Sequence, residues 1–264
     1  MMQVSCGDAN VLYQIEGQGP PLVLLHPFPA NHKFWKPAAP LLSSRYQLIT
    51  PDLRGHGASG IGVGPATMEK HAADLLRVCE AAGVQRAIFM GVSIGGYVMF
   101  EFWRRYRERV QTLILCDTRA QADTPEGRAS RLKAADDVLK RGPAMFLDEM
   151  VQKLLGATTK AQRPDLVSTV RAMLGEMTPA GIAAVQRGMA ERPDSVPTLM
   201  TISVPVLIMV GEEDTLTPVS DAELMRTHIK ESRLATVPKA GHFAPFEQHE
   251  VVVGMVRRFL ESTG

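Results

Sequence analysis

Short apolar segments alternate along the chain with longer segments whose apolar positions recur at helical spacing. Leu22–Leu25 and Ala87–Met90 lack polar alternation, which is typical of strands buried inside a parallel sheet. The segments Val4–Cys6 and Val11–Ile15 flank the turn-rich Gly7–Asn10 and predict an antiparallel hairpin. The predicted strands are Val4–Cys6, Val11–Ile15, Leu22–Leu25, Tyr46–Thr50, Ala87–Met90, Thr112–Cys116, Pro205–Val210 and Arg233–Val237.

Amphipathic segments follow several of these strands. The predicted helices are Trp35–Leu42, Glu69–Ala82, Tyr97–Glu108 and Val251–Leu260. Strand and helix therefore alternate up to about residue 118 and again near the end of the chain. This rhythm predicts an α/β fold with a mostly parallel central sheet flanked by helices.

The alternation is interrupted between residues 119 and 198. This block is rich in helical and charged segments, is divided by prolines, and contains no convincing strand. We interpret residues 119–198 as a helical cap inserted into a core domain that comprises residues 1–118 and 199–264.

Composition and charge exclude several classes of partner. The 264 residues carry a formal net charge of +1, which argues against nucleic acid or an anionic membrane as the main partner. The first residues show no secretory signal, and no apolar run reaches membrane-spanning length. The three cysteines are widely spaced, which favours a cytoplasmic location. We expect no metal and no cofactor, and the oligomeric state stays open.

Gly91–Gly96 joins the Ala87–Met90 strand to the following helix within very few residues. A turn this tight needs small residues two before and two after its apex, and Gly91 and Gly95 hold those positions around Ser93. The hydroxyl is then exposed beside a helix N-terminus, whose N–H groups and dipole favour negative charge. Ser93 is therefore predicted to be a nucleophile.

A serine nucleophile needs a base within hydrogen-bond reach. His242 lies in a short loop between the last strand and the last helix, at the sheet edge where Ser93 should emerge. We therefore predict that His242 is the base. His26 and His56 follow strands and remain candidates for the surroundings of the site. The other histidines fall in or beside predicted helices and are predicted to be solvated; they are His32, His71, His228 and His249.

The base in turn needs a carboxylate. Asp117 and Asp214 each follow a predicted strand, and the Asp214 loop should neighbour the His242 loop. Asp117 borders the inserted block, where a helix-capping or substrate-side role is easier to imagine. We favour Asp214 over Asp117, and Glu212 and Glu213 are weaker candidates.

Hydrolysis by a serine also needs backbone donors for the oxyanion of the tetrahedral intermediate. The N–H of Ile94, at the start of the helix, is one predicted donor. The N–H of Phe28 is the other, because the prolines on either side of it have no N–H to donate. Pro29 also favours an extended conformation at Phe28.

These motifs resemble the α/β-hydrolase fold: a Gly-x-Ser-x-Gly elbow, then an acid and a histidine in chain order, with a capping insertion. Leu24–Pro29 looks like the oxyanion loop of that family, and Asp52–Ser59 looks like its Asp-x-Arg-Gly-x-Gly-x-Ser turn. The resemblance implies the same roles for Ser93, Asp214 and His242, with Phe28 and Ile94 as oxyanion donors. It makes the Asp52–Ser59 turn structural. Pro27 departs from the glycine that is usual in the oxyanion loop.

A serine at the elbow indicates acyl transfer, because dehalogenases and epoxide hydrolases of this family carry a carboxylate there. The chain looks similar to small carboxylesterases and 3-oxoadipate enol-lactonases, which implies hydrolysis of a small or medium ester or lactone. A cofactor-free perhydrolase or a carbon–carbon bond hydrolase has the same triad. A hydrolase-like ligand receptor with slow turnover is the alternative from another class.

Apolar side chains of the cap and of the elbow are candidates for the substrate pocket. Methionine is common in such sites because its flexible thioether fills irregular space. The candidates are Phe28, Trp35, Tyr97, Phe146, Met150 and Met189, with Met173 as a further cap residue.

Overall fold

A sheet of eight strands runs through the computed structural model, which describes residues 1–263. The strands are β1 (Met2–Cys6), β2 (Ala9–Glu16), β3 (Pro21–Leu25), β4 (Gln47–Pro51), β5 (Ala87–Val92), β6 (Val110–Cys116), β7 (Val206–Gly211) and β8 (Ser232–Val237). Their order in the sheet is β1-β2-β4-β3-β5-β6-β7-β8. The pairs β1/β2 and β2/β4 are antiparallel, and the other neighbours are parallel. The predicted fold class is confirmed. Gly264, the last residue of the predicted 199–264 segment, lies outside the described residues.

The middle strands end at one level of the sheet. Almost every residue of β3, β5, β6 and β7 is buried, because helices cover both faces of a parallel sheet. Val92 lies opposite Cys116, and Cys116 lies opposite Met209. The loops that follow β5, β6 and β7 therefore leave from the same carboxyl edge, where sites form in parallel sheets.

Twelve α-helices surround this sheet within residues 1–263. Ten of them follow β5 or later strands. The helices are α1 (Ala39–Leu42), α2 (Met68–Ala81), α3 (Ile94–Tyr106), α4 (Pro125–Arg141), α5 (Ala144–Leu154), α6 (Ala157–Gln162), α7 (Pro164–Leu174), α8 (Pro179–Ala190), α9 (Val196–Leu199), α10 (Val219–His228), α11 (Ala244–Glu247) and α12 (His249–Glu261). In the part of the chain that is described, no helix combines the length and the apolar character that crossing a bilayer requires.

The predicted helix Trp35–Leu42 is wrong as a single element. The chain instead forms a 3₁₀ turn, His32–Trp35, and then the one-turn helix α1. Pro37 explains the break, because proline has no N–H to donate and its ring clashes with the preceding turn of a helix.

The six helices α4–α9 all lie between β6 and β7. Helix α8 packs against α4 and against the loop before α2, where the Ala66 N–H donates to the Ala184 carbonyl at 2.9 Å. Gly188 permits this close approach, because a Cβ atom there would overlap the Ala66 carbonyl oxygen. Helix α8 thus lies against the same core that carries the sheet edge.

Candidate active site

Ser93 lies at the apex of a strained turn between β5 and α3. Its backbone has φ 55° and ψ −114°, and it is the residue directly before the first turn of α3. A Cβ atom on Gly91 would lie 2.7 Å from the Gly95 carbonyl carbon, and one on Gly95 would lie 2.8 Å from the Leu25 carbonyl oxygen. Neither position has room for a Cβ atom, so both must be glycine, as expected for a nucleophile elbow.

His242 and Asp214 are brought together by the loops after β8 and β7. His242 Nδ1 and Asp214 Oδ2 form a hydrogen bond of 2.8 Å, and both residues are buried. Asp214 Oδ1 accepts the N–H groups of Leu216 at 2.8 Å and of Thr217 at 3.1 Å. Because Nδ1 is engaged by the carboxylate, Nε2 is the ring nitrogen left for a serine.

Thr217 is a part of this arrangement that the sequence reasoning missed. Its hydroxyl donates to Asp214 Oδ2 at 2.6 Å and lies 3.2 Å from His242 Nδ1. Burial raises the pKa of Asp214, but His242 and the donors of Thr217 outweigh it and lower that pKa below its ordinary value. The feature of the sequence that could have indicated this role is a threonine three residues after the candidate acid.

The rival acid, Asp117, occupies a different environment. Its Oδ1 accepts the Gly211 N–H at 2.7 Å, and its Oδ2 has no hydrogen-bond partner within residues 1–263. Burial, followed by repulsion from the Asp214 carboxylate, raises the pKa of Asp117 well above its ordinary value. The neutral acid is therefore favoured at Asp117, and His242 forms its hydrogen bond with Asp214.

The two predicted oxyanion donors are free of other bonds. Within residues 1–263, neither the Phe28 N–H nor the Ile94 N–H donates to another group of the chain. His26 holds the loop that carries Phe28, because its Nε2 accepts the Leu53 N–H at 2.9 Å and its Nδ1 lies 3.0 Å from the Pro27 carbonyl oxygen. These two N–H groups are thus free to donate hydrogen bonds to an oxygen atom of a molecule bound at Ser93.

A cavity of about 360 Å³ opens beside Ser93 and His242. Five of the predicted pocket residues line it; they are Phe28, Tyr97, Phe146, Met150 and Met189. Trp35 does not line it, and that prediction is corrected: its side chain is 1% exposed and packs edge-to-face on Phe34 in the core. Met173 is also buried away from the cavity lining.

Charged side chains form part of the cavity wall, which the sequence reasoning did not foresee. Arg131 Nε donates to Asp123 Oδ2 at 2.6 Å, and Arg192 Nη1 lies 2.8 Å from the same oxygen. The Arg192 guanidinium also lies 4.4 Å from the centre of the Tyr97 ring. Arg119 lines the cavity as well.

Three histidines lie together behind the Phe28 loop. His26 and His56 have ring centres 4.8 Å apart, and His56 and His71 have ring centres 6.5 Å apart. All three are fully buried, so the prediction that His71 is solvated is wrong. His32 is not free in solvent either, because its Nδ1 pairs with Asp52 Oδ1 at 2.8 Å.

The Asp52–Ser59 turn holds the loops together. Asp52 accepts the N–H groups of His32 at 2.7 Å and of Ala58 at 3.1 Å, and the Ser59 hydroxyl donates to the Asp52 carbonyl at 2.7 Å. In residues 1–263, no group of three or more His, Cys, Asp or Glu side chains is arranged to hold a metal ion.

The sheet order, the elbow and the strand-end loops define an α/β-hydrolase. The chain belongs to the α/β-hydrolase fold family, whose model matches residues 20–248. The relatives described next confirm the predicted resemblance to this family and to its esterase and enol-lactonase members.

Three relatives extend over nearly the whole chain. A thermophilic esterase from Thermogutta terrifontis, solved with malate bound, is 37% identical, with a TM-score of 0.96 over 100% of this chain and 99% of that chain. Pimeloyl-[acyl-carrier protein] methyl ester esterase of Neisseria meningitidis is 31% identical over 90% of this chain and 92% of its own length. 3-Oxoadipate enol-lactonase 1 of Acinetobacter baylyi is 26% identical over 94% of this chain and 92% of its own length.

Proposed function

We propose that this protein hydrolyses small to medium carboxylic esters or lactones through an acyl-enzyme on Ser93. The observation that carries the proposal is the geometry of one sheet edge. Ser93 lies at a strained elbow and lines the same cavity as His242. The Nδ1 atom of His242 is hydrogen-bonded to Asp214. The esterase and lactonase relatives support the same chemistry.

In the proposed mechanism, His242 takes the proton of Ser93 as the hydroxyl attacks the substrate carbonyl. Asp214 orients the imidazole and stabilises its protonated form. The Phe28 and Ile94 N–H groups bind the oxyanion, and each such donor contributes about 3–4 kcal/mol to the transition state in enzymes of this kind. His242 then returns the proton to the leaving alcohol and activates the water that releases the acid.

We further propose that residues 119–198 act as a cap that shapes the acyl pocket. Their side chains Phe146 and Met150 on α5 and Met189 on α8 line the cavity opposite the sheet edge. Tyr97 lines it from the elbow side. Together they form the apolar part of the wall of this cavity of about 360 Å³, which fits a short acyl group.

The test is steady-state hydrolysis of p-nitrophenyl acetate by the wild type and by Ser93→Ala. The variant is expected to lose about 10⁴-fold or more of kcat/KM, because removal of the nucleophile leaves only binding and oxyanion stabilisation. Ser168→Ala, an exposed serine on α7, is the matched control and should keep full activity.

Turnover number separates the hydrolase from its alternatives. Release of many equivalents of p-nitrophenol per chain is expected, whereas a single burst with a stable adduct would indicate a receptor. Equal hydrolysis by wild type and Ser93→Ala would reject the proposed mechanism. A carbon–carbon bond hydrolase or a perhydrolase would show itself by faster turnover of a β-diketone, or of an acid with hydrogen peroxide, than of any ester.

A further inference from the structure

A buried glutamate lies behind the loop that carries His242. Glu247 ends the short helix α11, and the residue is 5% exposed. Its Oε1 accepts the Gly241 N–H at 2.9 Å, and its Oε2 accepts the Gly156 N–H at 2.9 Å. Gly241 directly precedes His242, whereas Gly156 belongs to the α5–α6 junction, residues 154–158. One carboxylate therefore joins the histidine loop to a segment of the block between β6 and β7.

The other side of His242 is bonded to the same junction. The N–H of Phe243, the next residue after His242, donates to the Leu154 carbonyl oxygen at 3.1 Å. The two residues that flank His242 are thus both held through backbone N–H groups, Gly241 by Glu247 and Phe243 by Leu154. The position of the imidazole consequently depends on the position of the α5–α6 junction.

The loop of Asp214 is fastened to this junction as well. Glu213, which precedes Asp214, accepts the Thr158 N–H at 2.8 Å and also accepts the Thr158 hydroxyl. The backbones are in close contact, because a Cβ atom on Gly156 would lie 2.8 Å from the Gly241 nitrogen. Segments packed this closely transmit a displacement from one to the next.

Both oxygens of Glu247 are needed where they lie. The two N–H groups donate to different oxygens, so only a side chain with two acceptor oxygens satisfies both of them. Burial raises the pKa of Glu247 above its ordinary value, although hydrogen bonds from Thr159, Gly156 and Gly241 favour the charged form. A buried N–H group that loses its acceptor is costly, so the chain has to shift when this carboxylate is altered.

We propose that Glu247 is a positioning residue for His242, and that it sets the reach of the imidazole toward Ser93 by tying the histidine loop to the α5–α6 junction. The inference rests on the proposed hydrolysis and adds a residue outside the triad. His242 exchanges a proton with Ser93 in that mechanism, and a misplacement of about 1 Å lowers such rates by about 100-fold.

Glu247→Gln tests this role directly. The amide keeps the length of the side chain but has one acceptor oxygen, so one of the two N–H groups faces an NH₂ group. With p-nitrophenyl acetate, kcat is expected to fall by about 10- to 100-fold while KM changes by less than about threefold. Glu101→Gln is the matched control. Glu101 is a glutamate of α3 that is 7% exposed and bonds to Arg104 and Arg105, and its variant should keep kcat.

Proton NMR separates positioning from stability. The Nδ1 proton of His242, held by the hydrogen bond to Asp214, should give a resonance far downfield of the amide protons. We expect this resonance to shift or broaden in Glu247→Gln and to stay in place in Glu101→Gln. Urea unfolding measures the stability that each variant loses, and comparable losses with different kcat values would assign the effect to His242.

Gly156→Ala approaches the same link from the other side. Its backbone, with φ −61° and ψ 155°, is open to alanine, so crowding against Gly241 is the main obstacle. The added methyl group should push the α5–α6 junction off the histidine loop and lower kcat by about tenfold. Gly175→Ala, at the end of α7, is the control. A Cβ atom there would meet nothing closer than 3.4 Å, and kcat should be retained.

The outcomes separate this inference from the proposed hydrolysis. Unchanged kcat and an unchanged His242 resonance in Glu247→Gln reject the positioning role, while an inactive Ser93→Ala keeps the hydrolase. A change in KM alone, or an equal loss of kcat in Glu101→Gln, rejects the role too. If Glu247→Gln does not fold, the same two readouts on Gly156→Ala decide the question. Absence of any ester or lactone hydrolysis in the wild type rejects both proposals.

Discussion

Asp117 and Asp214 follow adjacent strands, yet their surroundings shift the pKa values of the two carboxyl groups in opposite directions. Asp214 accepts three donors besides His242, and its pKa lies below the ordinary value. Asp117 has one donor on Oδ1 and none on Oδ2 among the described residues, and its pKa lies well above the ordinary value. A carboxylate that stabilises an imidazolium must be charged, so Asp214 is the suited residue of the pair.

Replacing each acid by asparagine should therefore have opposite consequences. Asp214→Asn removes the charge beside His242 and is expected to lower kcat by about 10³- to 10⁴-fold. Asp117→Asn replaces a carboxyl group whose pKa burial raises well above its ordinary value, while His242 bonds Asp214, and we expect less than a tenfold change. Parallel kinetics with p-nitrophenyl acetate measure both. The reverse pattern would move the catalytic acid to Asp117.

At the level of single residues, the sequence indicates where a side chain lies when its position along the chain fixes that location. Ser93, Asp214 and His242 follow strands, so their convergence at one edge was foreseeable. The burial of His71 was not foreseeable, because periodicity shows which face of α2 is apolar but not that a polar ring is buried on that face. Arg119 was missed because a cation in a charged segment carries no sign of whether it faces solvent or a cavity.

At the scale of elements, strands were predicted more accurately than helices. The middle strands are continuous apolar runs, and the observed bounds differ from the predicted ones by at most two residues. The predicted helix Trp35–Leu42 failed because Pro37 interrupts its hydrogen bonds. The arrangement of α4–α9 depends on contacts with distant loops, which no local pattern records.

Helix α8 provides the sharpest test of those contacts. Gly188→Ala would place a methyl group on the Ala66 carbonyl oxygen and should destabilise the fold by about 1–3 kcal/mol, as overpacking does. Gly254→Ala, inside α12, is the matched control. Its nearest atom would be Arg258 Nη1 at 3.5 Å, so the gain in helix propensity of about 1 kcal/mol should be realised.

Urea unfolding of the two variants measures both free energies. Opposite signs are expected for the same chemical change, together with weaker ester hydrolysis in Gly188→Ala, because α8 carries Met189 on the cavity wall. A Gly188→Ala variant as stable as the wild type would show that α8 does not pack on the Ala66 loop as described.

At the scale of the whole molecule, the buried histidines link stability to pH. Burial lowers the pKa of His26 to about 4 and of His71 to about 3, and it lowers the pKa of His56 well below its ordinary value. An unfolded chain takes up these protons near pH 6.5. The stability that neutral histidines contribute is therefore complete above about pH 6.5 and is lost as the pH falls toward 4 and 3.

We expect the free energy of unfolding to fall below pH 6.5 by about 1.4 kcal/mol per pH unit for each of these histidines. His71→Leu keeps the volume and removes one such group, so its slope between pH 6 and pH 4.5 should be shallower by about that amount. His249→Gln, at the partly exposed start of α12, serves as the control substitution of a histidine outside the buried group. An equal slope in wild type and His71→Leu, from urea titrations at each pH, would contradict this account.

We propose Ser93 as the nucleophile of an ester or lactone hydrolase. The most direct measurement is the intact mass and peptide map of the protein after treatment with diethyl p-nitrophenyl phosphate, which transfers a stable phosphoryl group to an activated serine. We predict one diethylphosphoryl group per chain on Ser93, with loss of esterase activity in proportion and no labelling of Ser93→Ala. A label on another residue, or an unlabelled protein that still hydrolyses esters, would reject Ser93 as the nucleophile.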